Sequence, residues 1–171
     1  MSHDIASMPD FVASAVTEVF SMFVDVELDA PTIEKLNGPT NQYDISAVVP
    51  LSGSLNGAIA LRAPVASASA FVEAFGGDAV EPDSDAFSDA FGELANMISG
   101  SAKAKYNSSS LSIGCPTVVL APGHKIRMPS GTVCWAVRFE SPKGAFAVEI
   151  GLSAAAVEGS DWKMLKESEA A

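Results

Sequence analysis

Basic residues are scarce in this chain: ten Lys and Arg stand against 21 Asp and Glu, giving a formal net charge of −11. Nucleic acid and anionic membranes both recruit clustered Lys and Arg, so neither is an expected partner. Long apolar runs are missing as well, and none approaches the roughly 18 residues of a membrane span. Residues Met1 to Asp10 carry neither the basic nor the apolar stretch of an export signal. Only two cysteines occur, Cys115 and Cys134, both in strand-like apolar surroundings. There they read as small buried residues rather than as a disulfide. The two histidines, His3 and His124, have no further His, Cys or acid at ligand spacing, so no metal site is expected. Cys115 has no His near it in sequence to activate a thiolate. These absences predict a cytoplasmic protein with no metal or cofactor of its own.

What is present is an ordinary globular composition, 48% hydrophobic and 18% charged, which argues against disorder. The 171 residues fit one domain, 1–171, with a sizeable core. Residues 8 to about 26 read as a helix with an apolar stripe of Phe11, Val12, Ala15, Val19, Met22 and Phe23, and Pro9 suits its first turn. A polar connector with Pro31, Gly38 and Pro39 leads to a hairpin, Tyr43 to Pro50 and Ala58 to Leu61, turning through Ser52 to Gly57. A second helix, Val65 to Phe75, stops at Gly76-Gly77. Leu111 to Leu120 reads as a strand broken or begun at Pro116. Thr132 to Glu140 and Ala145 to Gly151 form another hairpin, and the tail from Ser153 carries a short helix at most. Ser52-Gly53-Ser54 and Gly76-Gly77 are turns and not phosphate loops, because neither leads from a strand into a helix with a Lys-Ser/Thr ending. Trp135 and Trp162 read as core or interface aromatics.

The chain resembles itself. Ala47-Val48-Val49 and Gly57 to Leu61 can be laid on Ala136-Val137-Arg138 and Gly144 to Val148, and Glu18 to Phe23 on Glu93 to Ile98. Two related halves, about 8–77 and 83–165, each run from helix to hairpin. In this alignment a Glu recurs, but Ser21 stands where the second half has Asn96. Any chemistry that needs the amide therefore belongs to the second half.

That half holds a long amphipathic helix from Asp83 to Lys103, with Phe87, Phe91, Leu94, Ile98 and Ala102 on its apolar side. Asp83 or Ser84 suits its N-cap. At about 100° per residue, Asp89, Glu93, Asn96, Gly100 and Lys103 share the opposite face. Gly in a helix interior costs about 0.8–1.0 kcal/mol relative to Ala, and Asn is a middling former. A face that only met water would hold Ala, Lys or Glu instead of Gly92, Asn96 and Gly100. Glu93 and Asn96, three apart, project as neighbours from adjacent turns. A carboxylate pairs with a cation, and an amide orients a water. Together they suit hydrolysis of an acyl phosphate, where positioning and charge matter more than a strong base.

The run Asp89 to Lys103, followed by Ile113 to Val119, resembles the CheC/CheX family of chemotaxis phosphatases, with Asp89, Glu93, Asn96 and Pro116 on the motif positions. One motif-bearing helix, with Ser21 in the other half, is similar to the CheX type rather than the two-site CheC type. The resemblance implies an α/β (α+β) fold of the CheC kind, an antiparallel-rich sheet from two pseudo-repeated halves with long helices packed on it. It implies a homodimer, with strands shared across a two-fold. It also implies a protein phosphatase acting on a phosphorylated CheY-like receiver domain. Glu93 would pair with the receiver's Lys and Asn96 would orient the attacking water, while the receiver supplies a divalent metal. Gly92 and Gly100 would let the partner's loops approach, with Asp89, Lys103 and Pro116 at the same interface. The alternative is a non-catalytic adaptor that binds a receiver or a flagellar-switch protein through the same helix.

Overall fold

The structure, a computed structural model, describes residues 4–107 and 109–154. His3, Trp162 and most of the tail therefore lie outside the described residues. A short 3-10 turn (Ile5–Ser7) leads into helix α1 (Met8–Val19), with Pro9 in its first turn, and α1 runs on through a π-turn (Phe20–Val24). Strands β1 (Thr32–Leu36), β2 (Ile45–Gly53) and β3 (Leu55–Ala63) follow, then α2 (Val65–Gly76) and α3 (Asp85–Tyr106). Strands β4 (Leu111–Ile113), β5 (Thr117–Leu120), β6 (Val133–Phe139) and β7 (Phe146–Ala154) complete the described chain.

All strands pair antiparallel in one sheet, in the order β1-β6-β7-β3-β2-β4, with β5 also on β2. Two hairpins, β2–β3 and β6–β7, meet at the β3–β7 seam. Each half contributes a helix, a hairpin, and a strand that crosses to the other half's hairpin: β1 pairs β6, and β4 and β5 pair β2. The three helices cover one face, where Val16, Phe20, Phe71, Phe91 and Leu94 interlock with Ala47, Leu61, Val137 and Val148. Phe20 stacks on Phe146 at 4.6 Å and meets Phe71 edge-on at 5.0 Å. The result is a two-layer α/β architecture.

Four expectations change. The connector holds a strand, β1, which among the described residues pairs only with β6 and is exposed along most of its length, so no buried alternation marks it. The hairpin turn is tighter than expected, because β2 runs to Gly53 at φ 106°, where a Cβ would sit 1.8 Å from the Ser110 carbonyl oxygen. The repeat alignment slips by one: Ala47 faces Leu61, but Ala136 faces Glu149, so Val137 and not Ala136 is the counterpart of Ala47. In a strand such a slip exchanges the two faces. Finally, Met22 and Phe23 are 65% and 43% exposed instead of buried. Within the π-turn the inward positions are Phe20 and Val24, so Met22 and Phe23 between them fall on the outside.

On the face away from the helices, Arg62 is fully buried. It donates to Ser46 Oγ (2.9 Å), Thr40 Oγ1 (2.7 Å), Glu149 Oε2 (2.8 Å) and the His124 carbonyl (2.9 Å), under the Tyr43 ring. Thr40 also donates to Glu149. Removing one partner of such a buried pair costs about 3–5 kcal/mol, because the other charge is stranded. The network pins two long connections, through Thr40 and His124, to the centre of the sheet.

Candidate functional site

Helix α3 starts where Ser84 Oγ accepts the Phe87 amide (3.1 Å), so Ser84 is the cap, and Asn107 closes it in the left-handed conformation at φ 53°. Phe87, Phe91, Leu94, Ile98 and Ala102 are buried, as the periodicity predicts. The opposite face carries Asp89 and Glu93 exposed and Asn96, Gly100 and Lys103 partly exposed. Asn96 Nδ2 donates to Glu93 Oε2 at 3.4 Å. That is longer than the usual 2.7–3.2 Å, so the amide gives up little on turning to a water. Its Oδ1 has no partner among the described residues.

Pro116 lies in a bulge. Residues 114–116 separate β4 from β5, and both strands pair β2, so Gly114, Cys115 and Pro116 bow out of one interrupted edge. Gly114 N–H still reaches the Pro50 carbonyl at 2.8 Å. The bulge turns Pro116 towards α3, and a cleft opens between helix and edge, lined by Ser88, Asp89, Gly92, Glu93, Pro116 and Val118. Gly92 is its buried floor: a Cβ there would lie 3.4 Å from Pro116 and 3.5 Å from Val118. The close approach that Gly92 permits is therefore first of all to the chain's own edge strand. Gly100 has more room, with only Ile113 at 4.0 Å from a Cβ. A second cleft, lined by Met22, Phe23, Asn96, Met97 and Gly100 among others, opens on the α1 side of Asn96. Lys103 stands one turn beyond Gly100, beside Ser109 and Ile113.

Helices α1 and α3 pack together, Phe11 against the Tyr106 ring at one end and Glu18 against Ser101 further along, so they run antiparallel. Glu18, the counterpart of Glu93, accepts from Ser101 Oγ at 2.9 Å and pairs with Lys105 Nζ at 3.0 Å. The bonds from Lys105 and Ser101 hold its carboxyl below the usual carboxylate range. The first half's carboxylate is thus spent on α3, and Ser21 beside it is exposed on the π-turn. The cysteines are free thiols, but Cys115 is exposed and Cys134 half-buried. The bulge carries Cys115 outward, contrary to the buried expectation. Trp135 packs at the core's margin. Among the described residues no three His, Cys, Asp or Glu side chains gather as metal ligands, and no helix is long and apolar enough to cross a membrane.

The family model of the chemotaxis phosphatase CheX matches residues 45–140, more than half of the chain and all of α3 with both edge strands that flank it. The chain belongs to the CheX family. Among solved structures, the chemotaxis protein CheX of Desulfovibrio desulfuricans is 29% identical, with a TM-score of 0.78 over 86% of this chain and 99% of that one. CheX of Vibrio vulnificus is 20% identical at a TM-score of 0.77, over 86% and 99%. A CheX–CheY–BeF3–Mg2+ complex from Borrelia burgdorferi matches at 20% identity and a TM-score of 0.65, over 87% and 97%. No curated protein matches. This CheX-family chain shares the mixed α/β fold of these neighbours, an antiparallel sheet with helices on one face.

Proposed function

We propose that this protein hydrolyses the aspartyl phosphate of a CheY-like receiver domain, with Glu93 and Asn96 entering the receiver's active site. The observation that carries the reading is the placement of these two side chains. They stand together on the outward face of α3, between two clefts, with only a long contact to each other. The Borrelia burgdorferi complex, in which CheX meets CheY with BeF3 and Mg2+, supports the choice of partner.

On this reading Glu93 pairs with the receiver's Lys, and Asn96 holds a water in line with the phosphorus. The water's oxygen forms the new P–O bond as the bond to the aspartyl oxygen breaks, releasing phosphate and the receiver's carboxylate. A loose transition state needs little proton removal beforehand, so no strong base is required. The receiver supplies its own divalent metal. Asp89, Gly92, Gly100, Lys103 and Pro116 form the contact surface around the pair. The protein then works in the cytoplasm beside its receiver, as one domain that pairs with a second copy through the open edge of β1.

The experiment is phosphate release from a phosphorylated receiver. Wild type accelerates it. Asn96→Ala slows the accelerated step by about a hundredfold, the scale on which misplacing a reacting group acts, while still binding the receiver. Glu93→Ala weakens binding as well. Equal decay with and without wild type, despite binding, would replace the hydrolase with the adaptor.

A further inference from the structure

Met22 and Phe23 are two of four large apolar residues left exposed among the described residues, at 65% and 43%. They are consecutive, and nothing in composition forces them outward. Within the π-turn Phe20 and Val24 take the inward positions, and Asp25 in the left-handed conformation at φ 51° ends the helix directly afterwards. Because α1 and α3 run antiparallel, this stretch lies beside Asn96. Met22, Phe23, Asn96, Met97 and Ile113 line one cleft. Asn96 is therefore bordered on one side by the acidic Asp89–Glu93 cleft and on the other by an apolar shelf.

We propose that the Met22–Phe23–Met97 shelf is the part of this surface that receives an apolar patch of the receiver and so sets which receivers are bound. The inference rests on the phosphatase reading above and deepens it. The occupant follows from continuity: the shelf and Asn96 line the same cleft, so a macromolecule whose phosphorylated side chain reaches Asn96 must lie across Met22 and Phe23. The two sides divide the work. Asp89 and Glu93 attract the cationic rim of a metal-loaded phosphorylation site, a charge match common to receivers and hence poor at telling them apart. Discrimination then falls to shape and apolar contact. Methionine suits that task, because its unbranched thioether repacks against differing partners. Glu18 also lines this cleft, where its carboxylate is held by Lys105 and Ser101.

The test uses Met22→Lys/Phe23→Ser and, as its conservative partner, Met22→Leu/Phe23→Leu. Both sites are exposed, and thermal melts check that the fold is kept. A panel of CheY-like receivers loaded with beryllium fluoride and Mg2+ supplies the binding probe, and their phosphorylated forms supply the substrate. The expected result is a Kd and KM raised about tenfold or more for the Lys/Ser variant, the scale of losing a central apolar anchor. Its kcat stays within about twofold, and the Leu/Leu variant restores binding. Unchanged Kd and KM would overturn the shelf while leaving hydrolysis intact. A Lys/Ser variant that changes the protein's molecular mass in solution would also overturn it, by making the shelf a contact between copies of this chain. If wild type binds none of the loaded receivers, the phosphatase reading falls and the shelf with it.

Discussion

At Gly92 helix stability and the proposed receiver contact make opposite demands. An added Cβ would lie in ordinary van der Waals contact with Pro116 and Val118, so Gly92→Ala fits without a clash. It should stabilise α3 by about 1 kcal/mol through helix propensity and raise the melting temperature. If the cleft beside Glu93 takes part of the receiver, the same methyl group raises KM. A variant that melts higher and binds as well as wild type would remove Gly92 from the interface. Single residues were legible in the sequence where they broke a local rule. Gly92, Asn96 and Gly100 stood out because a solvated helix face has no use for Asn and Gly. Arg62 did not, since its partners Thr40, Ser46, His124 and Glu149 come from separate segments and only the sheet brings them together.

Between elements, the informative contact is the one from α1 to α3. Glu18 accepts from Ser101 and pairs with Lys105, which hold its folded pKa below the unfolded value. A depressed carboxylate pKa contributes stability that is present above the unfolded value, about 4.3, and is lost as pH falls through the folded one. Glu18→Gln should therefore lower the urea midpoint slightly at pH 7, less in high salt, with no difference from wild type at a pH below the folded pKa. A difference that persists there would assign the effect to packing. Periodicity located α1 and α3 correctly, yet it misplaced Met22 and Phe23, because in a wholly apolar run from Val19 to Val24 broken only by Ser21 the pattern does not tell the inward Phe20 and Val24 from their neighbours. Strand β1 escaped for the opposite reason: Thr32 to Glu34 and Lys35 are all exposed, so its pairing with β6 leaves no alternation to read.

For the molecule as a whole, the two edges of the sheet differ. One is broken by Gly114, Cys115 and Pro116; the other, β1, offers five regular residues with Ile33 exposed and no strand beyond it among the described residues. Pairing of two copies through β1 predicts twice the chain mass by sedimentation at micromolar concentration, and Ile33→Lys should shift it towards the monomer; a single-chain mass for wild type would rule this pairing out. The antiparallel helix pair has another consequence, for attempts to endow the chain with a second active site. Converting Ser21 to Asn recreates the Glu-x-x-Asn spelling on α1, but its Glu18 is already engaged by α3 and its Asn would sit on a widened turn. In an Asn96→Ala background, Ser21→Asn should restore no phosphate release. On the phosphatase reading, recovery would require straightening the π-turn and freeing Glu18 as well, so a second site lies three changes away, and not one.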